Sequence, residues 1–511
     1  MSKRSGMEAL VKSTDQRKIR LLEYLMQTEQ WLTTLDLSSL LGCSERVIKD
    51  DLQYFRENHP GLVIISSSEG VKMHWDSSIG IQDFYIDIMK ESLTFKILEE
   101  IFFDETLSTL DLADILHASS STIYRTIDQL NTYFERFNCQ IERNPCRFVG
   151  DEYYIRRFYR TYFKERYTIF EWPFKIFTQE KIHNSFDFIF DTLNQVDDIS
   201  DISTDFASHR KIQSSIVVNL IRLQNGHWVD IPEDTLFQES IFFKMFLSYL
   251  PSVITSINFQ STVYMHKDSA LVYQIYYPYL NEKFAYSQKT LLKMRQRYAY
   301  VDDSIQAIEQ HLDALALDYA IPVATEKLIP TLYGTVMFEE HNTESMHILY
   351  DRNNIFNVTV AKQFPTLYQR MYALVDNFRK SLGHDEVDEK NQYLLYILFI
   401  NWKHLLATLY SKRSTVRMIV ISDRHHTHAT TIKNLLAKSL SPYVQISSYQ
   451  GNILNYERLA RLNDDLVVST FRLPENYPKK SIVVGQYIRY RDIDLIQKAV
   501  TEIMEAKGLD S

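Results

Sequence analysis

The chain has 511 residues, 45% of them hydrophobic and 13% aromatic, with only 12 glycines and 12 prolines; this is too long for one core and predicts three to five helix-rich domains without long flexible linkers. Its net charge of −9 excludes indiscriminate coating of nucleic acid, yet leaves room for a local basic face, because phosphate contacts need only a few placed Lys and Arg. Three cysteines (Cys43, Cys139, Cys146) without CxxC spacing exclude a disulfide framework and a zinc site.

The N-terminal stretch has no apolar signal region, and no run of about 18 apolar residues is present, so a cytoplasmic protein with no membrane contact is expected. Residues 1–76 read as a winged helix-turn-helix. Ile19, Leu22, Leu25 and Met26 line one face of a first helix, and Leu35 to Leu41 forms a second. A third runs from Ser44 to about Asn58, stopped by His59-Pro60-Gly61. Val47, Ile48, Leu52 and Phe55 are its core face, which leaves Ser44, Arg46, Lys49 and Gln53 for DNA. Arg17, Lys18, Arg20 and Arg56 are further phosphate candidates. Two apolar runs, Leu62–Ile65 and Val71–Trp75, predict the wing hairpin.

Residues 77–165 repeat this plan without a gap. Leu35 falls on Leu110, Leu37 on Leu112, Leu40 on Ile115, Leu41 on Leu116, Ser44 on Ser119, Ile48 on Ile123 and Leu52 on Ile127. The break between helices is Gly42-Cys43 in one copy and His117-Ala118 in the other, and a Ser follows as cap. Helix, tight turn and capped helix is the pattern that lays a second helix in a DNA major groove. In this copy Ser120, Tyr124, Arg125, Thr126 and Gln129 are expected on the exposed face. A hairpin over residues 139–150 carries Arg143 and Arg147 toward phosphates. The aromatics of Tyr153–Phe163, at helical spacing, read as core.

Residues 166–288 and 289–412 read as two helical-bundle domains rich in Tyr and Phe. Their scattered histidines lack metal-ligand spacing, and no Gly-rich phosphate loop is present, so neither a metal nor a cofactor nor a catalytic residue is expected. Residues 413–511 switch to an α/β pattern: strands near 416–422, 444–449, 466–470 and 481–488, with helices near 430–440, 455–461 and 491–507. His425, His426 and His428 sit in its first strand-to-helix loop, where they can equally be surface residues.

This order of parts resembles the Mga/AtxA family of virulence transcription regulators, over essentially the whole chain. The resemblance implies PRD-like middle domains phosphorylated on His by the sugar phosphotransferase system, and a C-terminal EIIB-like domain. It implies a promoter-binding cytoplasmic regulator that forms a homodimer through that last domain. His209 and His384 best match the expected phosphoacceptors, followed by His266 and His341. A working EIIB carries phosphate on a Cys in its first loop; none lies beyond Cys146, which favours an interaction module there. The competing reading, a phosphocarrier enzyme relaying phosphate through His, lacks that Cys and any nucleotide-binding loop. An RNA-binding antiterminator would carry a small β-rich N-terminal domain in place of helices with wings.

Overall fold

The computed structural model describes residues 10–27, 31–59, 61–75, 80–182, 206–231, 238, 241–256, 268–280, 283–285, 287–324, 327–338, 347–349, 351–385, 387–412, 416–440, 444–451, 454 and 456–508. Two compact units are distinguished: Met1–Asp303 with Ile329–Asn357 and Val375–Leu394, and Ser304–Leu328 with Val358–Leu374 and Leu395–Ser511.

The first unit opens with α1 (Ser13–Gln27), α2 (Thr34–Leu41) and α3 (Glu45–Asn58), followed by the antiparallel strands β1 (Leu62–Ser67) and β2 (Gly70–Trp75). α2 begins where Thr33 and Asp36 cap each other's backbone N–H groups, and ends where Gly42 turns left-handed at φ 64°. There the Cys43 N–H donates back to the Ser38 carbonyl at 3.2 Å. Leu32 exchanges backbone hydrogen bonds with Val71 at 2.8 and 3.0 Å, tying the wing to the start of α2. Gly70 allows this approach, since a Cβ there would collide with the Leu32 carbonyl.

α4 (Ile81–Glu91), which sequence periodicity did not single out, leads into α5 (Leu93–Phe103), α6 (Thr109–Ile115), α7 (Ser120–Phe134), β3 (Cys139–Glu142), β4 (Arg147–Gly150) and α8 (Glu152–Arg166). The first module's devices recur. Ser108 and Asp111 form the capping box of α6, and the Ala118 N–H donates to the Ala113 carbonyl at 3.0 Å. The left-handed residue is His117 at φ 50°, where a side chain costs about 1–2 kcal/mol relative to glycine.

Three of the aligned pairs are core: Leu37 and Leu112, Ile48 and Ile123, Leu52 and Ile127 are each at most 2% exposed. Two others are not. Leu35 and Leu110 are 61% and 63% exposed, Leu40 and Ile115 51% and 45%. Leu35 precedes Leu37 by two residues, about 200° around the helix, and so points away from the core. In the last turn Leu41 and Leu116 take the core-facing place instead. The aromatics of α8 are core as expected: Phe158, Tyr159, Tyr162 and Phe163 are all buried.

Helices Phe206–Gln224, Ile241–Ser256 and Asp268–Tyr276 share one continuous hydrophobic core with both winged modules, running from Leu10 to Leu280 and including Ile348 and Leu349. The unit also holds helix Gln288–Arg297 and the 375–381 part of helix Pro365–Ser381.

The second unit ends in a parallel sheet of β5 (Val416–Ile421), β6 (Val444–Ser448), β7 (Leu466–Ser469) and β8 (Lys480–Val483), in the order β6-β5-β7-β8. Side chains alternate across β5: Val416, Met418 and Val420 join a core with helices His426–Ser439 and Tyr490–Gly508, while Ile419 and Ile421 face Leu459 and Leu473. Two expected boundaries move. The first helix starts at His426, four residues before Thr430, and β8 stops at Val483, although Val484 and Ile488 still fill the core beneath it. The chain is thus mainly helical and multidomain, with small sheets. No helix among the described residues is long and apolar enough to cross a membrane.

Candidate nucleic-acid interface

In the first module the packing of Ile48, Leu52 and Phe55 turns the other side of α3 outward. Ser44, Arg46, Lys49, Asp50 and Gln53 are all exposed there. Ser44 occupies the cap position in extended conformation, but its hydroxyl makes no capping bond. Gln53 Nε2 donates to Glu57 Oε1 at 2.7 Å, and Arg56 Nη2 reaches Ser66 Oγ on the wing at 2.6 Å. Between the start of α2, α3 and the wing lies an open cleft of about 340 Å³, bordered by Thr33, Thr34, Lys49, Arg56, Ser66 and Ser68. Two phosphate candidates are employed elsewhere. Arg17 Nε lies 2.7 Å from Oδ2 of the buried Asp51, and Lys18 Nζ stands 3.2 Å above the Tyr54 ring. Among the described residues, Arg46 and Lys49 form no ion pair.

The second module presents a different face. Ser119 does cap its recognition helix, accepting from the Thr122 N–H at 3.2 Å. Tyr124, Arg125 and Gln129 are exposed and Ser120 half-buried. Thr126, expected on this face, is buried, and its hydroxyl donates to the Thr122 carbonyl at 2.9 Å. Arg143 is tied to Asp128 and lies 5.0 Å from the Tyr124 ring centre. Arg147 donates to the Glu105 carbonyl at 3.5 Å. Arg125 is left as the unpaired cation of this recognition helix among the described residues.

Behind this module sits a charge cluster that sequence reading missed. Arg222, fully buried near the end of helix Phe206–Gln224, donates to Glu105 Oε1 at 2.7 Å, to Glu152 at 3.0 and 2.7 Å, and to the Phe148 carbonyl of β4 at 2.9 Å. Arg156, equally buried on α8, bonds Glu152 at 2.9 Å, the Gln274 carbonyl at 2.6 Å and the His227 carbonyl at 2.9 Å. His227 Nε2 lies 2.7 and 2.9 Å from the two oxygens of Glu105. Burial pushes the Glu152 carboxyl upward, but Arg222 and Arg156 outweigh it and hold it below the usual range. The second module is therefore locked to the first helical domain through two Arg and two Glu that are buried only because they satisfy one another. The one signal in the sequence was an Arg inside the apolar run Val217–Leu223.

Of the proposed phosphoacceptors, His266 and His341 lie outside the described residues. His209 falls in the first turn of helix Phe206–Gln224, its side chain outside the description. His384 follows Gly383, which is left-handed at φ 88°, and its N–H donates to the Arg379 carbonyl at 3.1 Å. In the C-terminal loop, His428 bridges Ser422 Oγ and the Gln486 carbonyl, both at 2.8 Å, and His426 Nδ1 lies 3.2 Å from the Tyr449 carbonyl. No group of residues able to hold a metal ion is present among the described residues.

Residues 12–71 match the helix-turn-helix domain of the M protein trans-acting positive regulator (MGA), residues 78–163 the Mga helix-turn-helix domain, and residues 185–405 the MGA PRD domain. The chain belongs to the Mga/AtxA family. A trans-acting regulator of Streptococcus pneumoniae is 26% identical to this Mga/AtxA member over 93% of the chain and 95% of its own length. The anthrax toxin expression trans-acting positive regulator of Bacillus anthracis is 20% identical over 95% and 98%. The capsule synthesis positive regulator AcpA of the same organism is 27% identical over 45% and 47%.

Proposed function

We propose that the chain is a DNA-binding transcription regulator in which the first winged module reads promoter sequence and the second positions it. The observation that carries this reading is the exposed α3 face, where Arg46 and Lys49 project unpaired beside a hydroxyl-lined cleft and a wing. Arg46 and Gln53 suit base edges and Lys49 a phosphate. In the second module Arg125 and Tyr124 face outward, Ser120 is half-exposed beside them, and Arg143 and Arg147 brace the hairpin.

Phosphorylation of the PRD region is the regulatory half of the proposal, with His209 and His384 as first acceptors. Helix Phe206–Gln224 carries His209 in its first turn and Arg222 in its last, so a charge added at one end is linked by a rigid rod to the second module's wing at the other. The C-terminal α/β domain, parallel-stranded and without Cys, serves as an EIIB-like interaction module and the seat of a homodimer in the cytoplasm. Selection of binding duplexes from random sequence by the full chain tests the first half: enrichment of a defined motif is expected, and none would refute it. Mass spectrometry for phosphohistidine, on protein from cells with and without a preferred sugar, tests the second. Onward transfer of that phosphate to a sugar would favour the phosphocarrier reading instead.

A further inference from the structure

The two winged modules agree at their buried positions because the same core must be filled. Agreement at an exposed position needs another cause; Asp36 and Asp111 have one in their capping boxes, whereas Leu35 and Leu110 take no part in a cap. Leu35 and Leu110 occupy the same place in the repeat, directly after the capping residue's neighbour, and both are more than 60% exposed. A single exposed leucine is ordinary on a protein surface; the same one kept in both copies, while the exposed faces of the two recognition helices diverge, points to a ligand common to both.

Its position indicates which ligand. In each copy the threonine just before the leucine hydrogen-bonds to the outward side of the recognition helix. Thr34 Oγ1 donates to Glu45 Oε2 at 2.5 Å, and Thr109 Oγ1 donates to the Tyr124 hydroxyl at 3.1 Å. The leucines therefore stand beside the recognition helices in the first turn of the preceding helix, the element that crosses the DNA backbone in this motif. On the first module Thr34, the residue just before Leu35, borders the cleft that Lys49 and Arg56 also line. On the second, Arg143 lies against Tyr124.

We propose that Leu35 and Leu110 are DNA-contact residues, each packing its methyl groups on deoxyribose or a thymine methyl where the duplex enters its module. The proposal rests on the reading of both modules as DNA binders, and it adds an apolar contact to the polar ones already assigned. Such a contact carries no charge. It strengthens binding without releasing counterions, so its loss lowers affinity and leaves the salt dependence as it was.

The test uses the full-length chain and a duplex recovered from random sequence by the wild-type protein. Leu35→Ala and Leu110→Ala are each expected to weaken binding by roughly tenfold, the equivalent of about 1.4 kcal/mol, with an unchanged slope of log affinity against log salt. Both side chains are exposed, so melting temperature should hold; Leu35→Met and Leu110→Met, which keep an apolar tip, should retain most of the affinity. Wild-type binding with unaltered affinity in both alanine variants overturns the proposal and leaves the reading of the modules standing. A wild-type chain that selects no duplex overturns both. Normal DNA affinity with lost transcription in a reconstituted reaction would place the leucines on the polymerase and also overturns it. A reduced salt slope would mean that phosphate contacts were lost, contradicting the apolar role.

Discussion

The two winged modules are built on one core and wired in different ways. In the first, the recognition helix keeps Arg46 and Lys49 exposed, and its internal pairs, Arg17 with Asp51 and Lys18 over Tyr54, lie on the opposite side. In the second, Arg143 and Arg147 are held by Asp128 and the Glu105 carbonyl, and a buried Arg–Glu cluster fixes the whole module to the helical domain behind it. The same fold thus keeps the cations of one recognition helix exposed and, in the other module, engages most of them internally. The difference lies in which charged residues surround a shared apolar frame.

The comparison breaks most readily at Arg222. Arg222→Met leaves Glu105 and Glu152 buried against fewer cations, a loss of about 3–5 kcal/mol, seen as a large drop in urea midpoint. Adding Glu152→Gln should recover part of it. Arg17→Met, which strands one buried carboxylate, Asp51, in place of two, should cost less; equal losses would erase the contrast.

On DNA the expected effects are next in size. Arg46→Ala should cost about 1–3 kcal/mol and relax specificity at one base position, and Lys49→Ala should weaken all sequences alike and reduce the salt slope by about one. These are read by titrating the full chain with specific and scrambled duplexes.

Smaller still is the contrast in the turns. His117→Gly should stabilise the second module by about 1 kcal/mol, while Gly42→Ala should destabilise the first by a similar amount, because both positions are left-handed. Thermal melts of the two variants check this.

The smallest effect is one of pH. His59, at the end of α3, is packed against Tyr54, Phe55 and Phe84, with Asp87 Oδ2 3.4 Å from Nδ1. Burial lowers its pKa, partly offset by Asp87 and Glu91, while Lys18 lowers it further. The unfolded chain takes up the proton first, near the ordinary value of 6.5. Stability is therefore complete above that pH and declines as pH falls from there toward the lowered native value. His59→Phe should flatten this part of the pH–stability curve.

What the sequence disclosed follows from what is periodic. The repeat, both hairpins and the α/β ending were legible because apolar spacing and caps are local signals. The alignment of Leu35 with Leu110 does not say which way they face; the angle from Leu37 turns both outward. α4 carried its apolar residues without a cap strong enough to announce it. The Arg222 cluster joins residues up to 122 positions apart in sequence, and no local pattern encodes such a pairing. Exposed faces were read well for α3. They were read less well for α7, where Thr126 turned inward and Arg143 found Asp128.

The asymmetry between the modules is tested most directly by equilibrium binding of three full-length chains to one selected duplex at fixed physiological salt: wild type, the double variant Arg46→Ala with Lys49→Ala, and Arg125→Ala. The double variant should lose well over tenfold in affinity and Arg125→Ala only a few-fold. Wild-type affinity in the double variant, with binding abolished by Arg125→Ala, would contradict the assignment of the first module as reader.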